Sequence, residues 1–355
     1  AHLHFQNLAL DATELRWDSL ALSGQMNNLA FKEWNGFELQ SLNTSLLLSD
    51  SSAALTQLSF QTPKSSLAPS TLKLQYYQFG DLANFTESVH LSVSLGTGKI
   101  DQEDLYYWSG PLPFLAPRPL PPLELSGQVD GYVSDLNIGQ FRLKWGQALN
   151  ARLSGAIANA TLPEELALQV VLQSIDLSPA QLNQYLKGQP LPAEGLAPLG
   201  QLRLTGFIKG NTRQLKVNRL ALRSQSFTAM FGQLQASDVT SPEKLQFTFT
   251  VDSLRTQPAD LRGFLNDTIP APLQAFGRSY YNGTIAGTLT DFKLDGTLRT
   301  EAGTANHDIQ LRFTEDYANA SYQGELKLEA VAMGQVLNNP EFGNLSLELR
   351  GEGRG

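Results

Sequence analysis

Gly127-Gln-Val129-Asp-Gly131, then four residues, then Leu136-Asn-Ile138: the reading of the fold turns on this stretch, because the chain carries it three times. Gly206-Phe-Ile208-Lys-Gly210 leads to Leu215-Lys-Val217, and Gly283-Thr-Ile285-Ala-Gly287 leads to Phe292-Lys-Leu294, at identical offsets. The copies begin at residues 127, 206 and 283, so the period is 79 and then 77 residues. A fixed period of this kind marks one supersecondary unit stacked on its neighbours, each unit burying an apolar face that it cannot bury alone. The expectation is an elongated scaffold or conduit rather than a compact enzyme built round one pocket.

Outward from these copies the dominant period is two. Leu245, Phe247, Phe249 and Val251 alternate with polar residues, as do Val89, Leu91, Val93 and Leu95, then Leu166, Leu168, Val170 and Leu172, then Leu345, Leu347 and Leu349. Strict alternation gives a strand one apolar and one wetted face, which favours antiparallel sheet over parallel sheet covered on both sides. Asp50-Ser-Ser52, Thr62-Pro-Lys-Ser65, Asp238-Val-Thr-Ser-Pro242 and Asn338-Asn-Pro340 read as turns. Helix is sparse. Ser178-Pro-Ala-Gln-Leu-Asn-Gln-Tyr-Leu-Lys-Gly188 has a cap, a proline at the first position and a closing glycine. Asp260–Leu265, Gly334–Leu337 and Asp101–Trp108 read as counterparts. Those at 178, 260 and 334 follow strands that end in an acidic residue (Asp176, Asp252, Glu329), and Gly80–Ile100 reads as strand.

The organisation expected is a β-rich, repeat-like segment over 1–109, in which Leu20-Ala-Leu-Ser-Gly24 is a degenerate copy. A Pro-rich linker follows over 110–122. The three repeats occupy 123–198, 199–277 and 278–355, the last continuing past the stretch in hand. Gly127, Gly131, Gly206, Gly210, Gly283 and Gly287 are the repeat glycines. Each pair shares a strand face with the residue between them, so they open either bulges that bend the sheet or hairpin turns, and the shared face favours the bulge.

Composition narrows function. A formal charge of −8 argues against nucleic acid as partner. With no cysteine there is neither a disulfide frame nor a thiolate metal site. No apolar run reaches the roughly 18–20 residues that span a bilayer. The four histidines His2, His4, His90 and His307 are scattered, so no metal and no cofactor are expected. Gly96-Thr-Gly-Lys99 lacks the first glycine and the hydroxyl residue of a phosphate loop and reads as a hairpin turn. Glu103/Asp104 and Glu164/Glu165 read as solvated surface, and Trp17, Trp34, Trp108 and Trp145 as strand-end or core aromatics. Enzymatic activity is not expected.

Alternating strands, G-x-[VI]-x-G openings and short Leu-rich helices together resemble the AsmA-like superfamily, and within it the TamB-like family of translocation and assembly module proteins in its Bacteroidota-like form. The nearest stretches are Pro121–Gly131, Leu199–Gly210 and Tyr281–Phe292, continuing into Gly324-Glu-Leu-Lys-Leu-Glu329. The resemblance covers most of the chain and rests on order and spacing. It implies a periplasmic protein anchored to the inner membrane by a segment not present here. It also implies an outer-membrane β-barrel partner of TamA or BamA type, and a curled mainly antiparallel sheet, a taco or half-pipe, with an apolar groove. That groove would carry phospholipid acyl chains or guide outer-membrane protein strands. The lining expected on this reading is Leu123, Leu125, Val129, Leu202, Leu204, Ile208, Leu245, Phe247, Phe249, Leu326 and Leu328. Periodicity alone leaves a closed sandwich core and an open groove both standing.

Overall fold

The structure, a computed structural model, describes residues 5–18, 21–34, 36–110, 112, 115–116, 118–162, 164–186, 193–265, 268–314 and 319–354. His2, His4, Leu20, Gly188 (the closing glycine of the expected helix) and Gly355 lie outside the described residues. Among the described residues the chain is mainly β, 63% strand against 14% helix, with twenty strands in one open antiparallel sheet. The chain divides into two compact units.

The first unit, residues 1–173 with 183–189, carries β1 (Phe5–Trp17), β2 (Ala21–Glu33), the short β3 (Glu38–Leu39), β4 (Ser41–Ser49), β5 (Ser52–Gln61) and β6 (Ser66–Gln75). After a helical stretch ending in α1 (Phe85–Ser88) come β7 (His90–Ile100) and α2 (Gln102–Ser109), then β8 (Leu123–Tyr132), β9 (Asp135–Trp145), β10 (Leu149–Ala158) and the first part of β11 (Ala167–Leu177). β2 pairs with β1, β3 and β4, and from β4 to β10 each strand pairs with its sequence neighbour. The described residues of 110–122 include three that pack into this unit. Leu115, Ala116 and Leu120 are buried against Tyr106, Trp145 and Tyr185, and the Trp145 indole donates to the Pro121 carbonyl at 3.1 Å. A Pro-rich chain has few amide donors to satisfy, which suits it to strap a sheet end.

The second unit, residues 174–182 with 190–355, begins with the end of β11 and most of α3 (Pro179–Tyr185) and continues with α4 (Ala193–Leu196). Its strands are β12 (Leu202–Asn211), β13 (Gln214–Ser224), β14 (Ala229–Ser237), β15 (Gln246–Thr256), β16 (Ser279–Gly287), β17 (Asp291–Thr300), β18 (Gly303–Phe313), β19 (Ala320–Ala332) and β20 (Asn344–Arg354). From β12 to β20 each strand pairs with the next. The helices α5 (Pro258–Leu261) and α6 (Ala271–Ala275) separate β15 from β16, and α7 (Met333–Val336) separates β19 from β20.

The glycine copies occupy β8, β12 and β16, each the first of four strands closed by a short helix (α3, α5 and α7). β4 to β7, followed by α2, have the same layout. In every run the helix lies against the turn between the second and third strands. Asp104 of α2 accepts from Thr62 Oγ1 at 2.6 Å, the Tyr185 ring of α3 meets Trp145 at 5.0 Å, and Asp260 of α5 accepts from Thr228 N at 2.9 Å. Ahead of α7, Ala332 N donates to Ala302 O at 2.6 Å. These turns hold much of the best-buried chain: Thr62, Ala148, Thr228 and Ala302 are all under 9% exposed. Asp104 is therefore a structural acceptor and not the solvated carboxylate its neighbours suggest.

The second glycine of each copy has one cause. Gly131, Gly210 and Gly287 have φ of +127°, +132° and +146°, and a Cβ there would lie 2.0–2.2 Å from the carbonyl oxygen of Asp135, Gln214 or Asp291, four residues on. These are hairpin-end glycines. The first glycine differs between copies. Gly127 and Gly206 sit at register shifts whose extra residue is on the next strand, Gln140 with φ +46° and Arg219 with φ +52°. Gly283 pairs in regular register with Gly296, and the Tyr281 hydroxyl stands where a Cβ on either glycine would go. Bulge and hairpin are thus both present, divided between the two positions.

Three expectations are corrected. Gly96–Lys99 is no hairpin turn. It lies within β7 at a register shift, with the Pro69 and Ala68 carbonyls against Gly96. Phe79–Ser88 is helical rather than strand. Asp252 and Glu329 do not end their strands: both sit at register shifts, and β15 and β19 run on to Thr256 and Ala332.

Candidate functional site: an apolar sheet face

Antiparallel partners share a face, so the register turns separate alternating strands into rows across the sheet. In the first unit one row runs Leu22, Leu48, Ala53, Leu74, Leu91, Gly131, Leu136, Ile157, and the next runs Gly24, Leu46, Leu55, Leu72, Val93, Val129, Ile138, Gly155. A third passes from Leu42 through Phe60, Leu67, Gly98, Leu125 and Leu143 to Ala151. Leu123 pairs with Ile100 and Trp145 beside it.

In the second unit Ile208, Val217, Leu234, Phe249, Ile285, Leu294 and Ile309 form one row over seven strands. At about 4.8 Å per strand it is roughly 29 Å long. Flanking rows contain Leu215, Ala236, Phe247, Gly287, Phe292 and Leu311, and Leu204, Leu222, Met230, Leu254, Tyr281, Leu298, Ala305, Leu328 and Leu347. Leu326 pairs with His307 and Leu349 between them.

Nine of the eleven proposed lining residues therefore fall in these rows or beside them, on strands and half-buried. Two do not fit. Leu202 is 3% exposed at the first position of β12, so it belongs to the packed strand end rather than to the half-buried face. Leu245 precedes the first residue of β15. A sandwich core hides its inner positions between two sheets. Here the described strands make one sheet, and the row residues are mostly half-buried.

The opposite face is polar, and several of its charges are paired. Lys144 Nζ lies 3.3 Å from Glu124 Oε2, Lys293 Nζ 2.8 Å from Asp308 Oδ2, and Arg312 Nε 3.1 Å from Asp291 Oδ2. The Asp308 bond raises the Lys293 pKa above its ordinary value. These exposed pairs contribute little stability each, but they keep that face wet and fix which side is apolar.

One polar spot interrupts the apolar face. The Tyr281 ring stacks on His307 at 5.6 Å, over the space left by Gly283 and Gly296, and His307 Nδ1 is 3.3 Å from Leu294 O. Burial, with Asp295 adding to it, raises the Tyr281 pKa, so the ring presents a neutral hydroxyl. The alternation of β16 and β18 could have placed both on this face, but the stacking needed the register. Among the described residues no group of three His, Cys, Asp or Glu could hold a metal.

No family model matches the chain, and neither a curated protein nor a solved structure matches it.

Proposed function

We propose that the chain is a segment of a TamB-like envelope protein of the AsmA-like superfamily, and that its apolar sheet face carries phospholipid acyl chains between inner and outer membranes. The observation in support is the continuity of the apolar rows. A row of about 29 Å is long enough for an acyl chain, which occupies about half of a 30 Å bilayer core. Each methylene moved from water onto such a face gains about 0.8 kcal/mol at full burial. The seven-strand row itself carries the Cβ-branched Ile208, Val217, Ile285 and Ile309, but Leu and Phe dominate the rows that flank it and are free of branching at Cβ, so it is the flanking rows that adapt to a sliding chain. The role is passive and non-enzymatic.

The test is lipid extraction and mass spectrometry on the chain purified without detergent. Phospholipid is expected at near-stoichiometric level in the wild type and absent from Phe249→Asp, with the sheet signal in circular dichroism unchanged. A stable wild-type chain free of lipid sinks the reading.

A second reading, a scaffold for strands of outer-membrane barrels, draws on the edges. β1 exposes Leu8, Leu10, Leu15 and Trp17 at 59–84%, and an open edge can accept a further strand by β-augmentation. A peptide with barrel-strand alternation would then bind, and Phe249→Asp would leave its affinity unchanged.

A further inference from the structure

The polar face of the second unit has a feature that the acyl-chain reading does not use. Arg223, Ala229, Arg255, Tyr280 and Arg299 are successive register partners across β13 to β17. Arginines thus stand on alternate strands, about 10 Å apart. Arg278 joins them, because its guanidinium and that of Arg255 lie 5.0 and 5.2 Å from the centre of the Phe227 ring. The Arg223 guanidinium lies 5.4 Å from the centre of Phe231. Stacking on an aromatic face orients a guanidinium and leaves its N–H edge free for an acceptor.

Among the described residues none of these four arginines has a carboxylate at ion-pair distance, whereas Arg203, Arg312 and Arg350 on the same unit are each paired. Asp252 is the acidic residue that lines the same depression, of about 740 Å³. Beyond Arg299 the row continues through Thr304 to Glu329, whose carboxylate is engaged by Lys327 at 3.0 Å. Like charges on one sheet face repel. Four unpaired guanidiniums gathered on a chain of net charge −8 therefore call for an anion. Tyr280, Ser253 and Asn282 line the depression and add neutral donors.

We propose that this arginine row binds phosphate oxyanions. Guanidinium forks match phosphate oxygens bidentately, and the volume is that of a small-ligand site. The spacing favours a ligand with more than one phosphate group, or several phosphate headgroups side by side. The proposal is independent of the acyl-chain reading, because the row lies on the opposite face.

The test titrates the full chain calorimetrically with sodium pyrophosphate, and separately sediments it with vesicles of phosphatidylglycerol or of phosphatidylcholine. The Arg255→Gln/Arg299→Gln double variant is expected to weaken binding at least about 10-fold. Arg142→Gln, the same kind of charge change on the first unit, is expected to change it less than about two-fold. All these side chains are exposed, so thermal unfolding should be unaltered; should the double variant fail to fold, Arg223→Gln alone is read, with about three-fold weakening expected. Pyrophosphate binding identifies a soluble phosphate compound as the ligand, and binding to phosphatidylglycerol vesicles alone identifies a lipid headgroup. Binding to neither, or equal weakening by Arg142→Gln, overturns the site.

Discussion

The helix-covered end of the sheet and its apolar face are made from the same strands and do opposite things. At the end, short helices bury turns and even a carboxylate: Asp260 is 2% exposed and accepts from Ser226 Oγ, Thr228 N and Thr228 Oγ1 at 2.7–3.0 Å. On the face, residues such as Phe249 and Leu294 are only half-buried. The difference separates where the fold is held from where surface is left over. A sheet that spent its apolar residues on a second layer would have no face to offer a ligand.

The largest effect should come from the end. Asp260→Ala removes the acceptor of three hydrogen bonds and of a fourth from Gln257 Nε2 at 3.0 Å, leaving the buried Thr228 N–H unmet. The expected loss is about 3 kcal/mol in urea unfolding of the second unit. A loss under about 1 kcal/mol would mean that the end is not what holds the unit. Next come the glycines, where two positions in one strand should differ. Gly210→Ala sets a Cβ 2.0 Å from Gln214 O at φ +132° and should cost about 2 kcal/mol. Gly206→Ala meets its nearest atoms at 3.6 Å and should be close to neutral. Equal effects would break the division of the copy into a hairpin glycine and a bulge glycine.

Much of this was legible in the chain. Alternation places the strands, and the glycine copies place the first strand of three of the four four-strand runs, because both depend on residues near one another. What was not legible depends on register. Val251-Asp-Ser-Leu254 reads as a strand ending in an acidic residue, yet it is one strand with an extra residue, and apolar spacing resumes at Leu254. Gly96-Thr-Gly-Lys99 reads as a turn because glycines usually punctuate. Here they admit the backbone of β6 to close approach instead. Leu202 alternates like a lining residue and is nevertheless fully buried, at 3% exposed, at the first position of β12. The arginine row was invisible, since its members lie tens of residues apart and meet only through four successive ladders.

The face makes the third prediction. Phe249→Ala should cost about 1–2 kcal/mol by urea unfolding, well below the 3–5 kcal/mol of a fully buried phenylalanine. A loss in the upper range would show that the face is covered in solution and would erase the contrast with the end.

The smallest effect tests what keeps the two faces apart. One extra residue in a strand would move every later side chain to the other face, unless a bulge absorbs it. Gln57, Gln140, Arg219 and Ala330 lie at or beside such shifts with φ between +46° and +54°, a conformation unfavourable for residues with a Cβ. Ala330 is the cleanest probe, because it is exposed and its side chain is a single methyl. Ala330→Gly relieves the strain while adding freedom to the unfolded chain, so a net gain of about 0.5 kcal/mol is expected, a rise of roughly 1–2 °C in Tm. Glycine inside a regular strand costs a similar amount. The sign therefore carries the information: stabilisation means that the bulge absorbs the extra residue and Leu328 and Val331 keep to their own positions, while destabilisation means that β19 runs regularly and one side of the shift faces water.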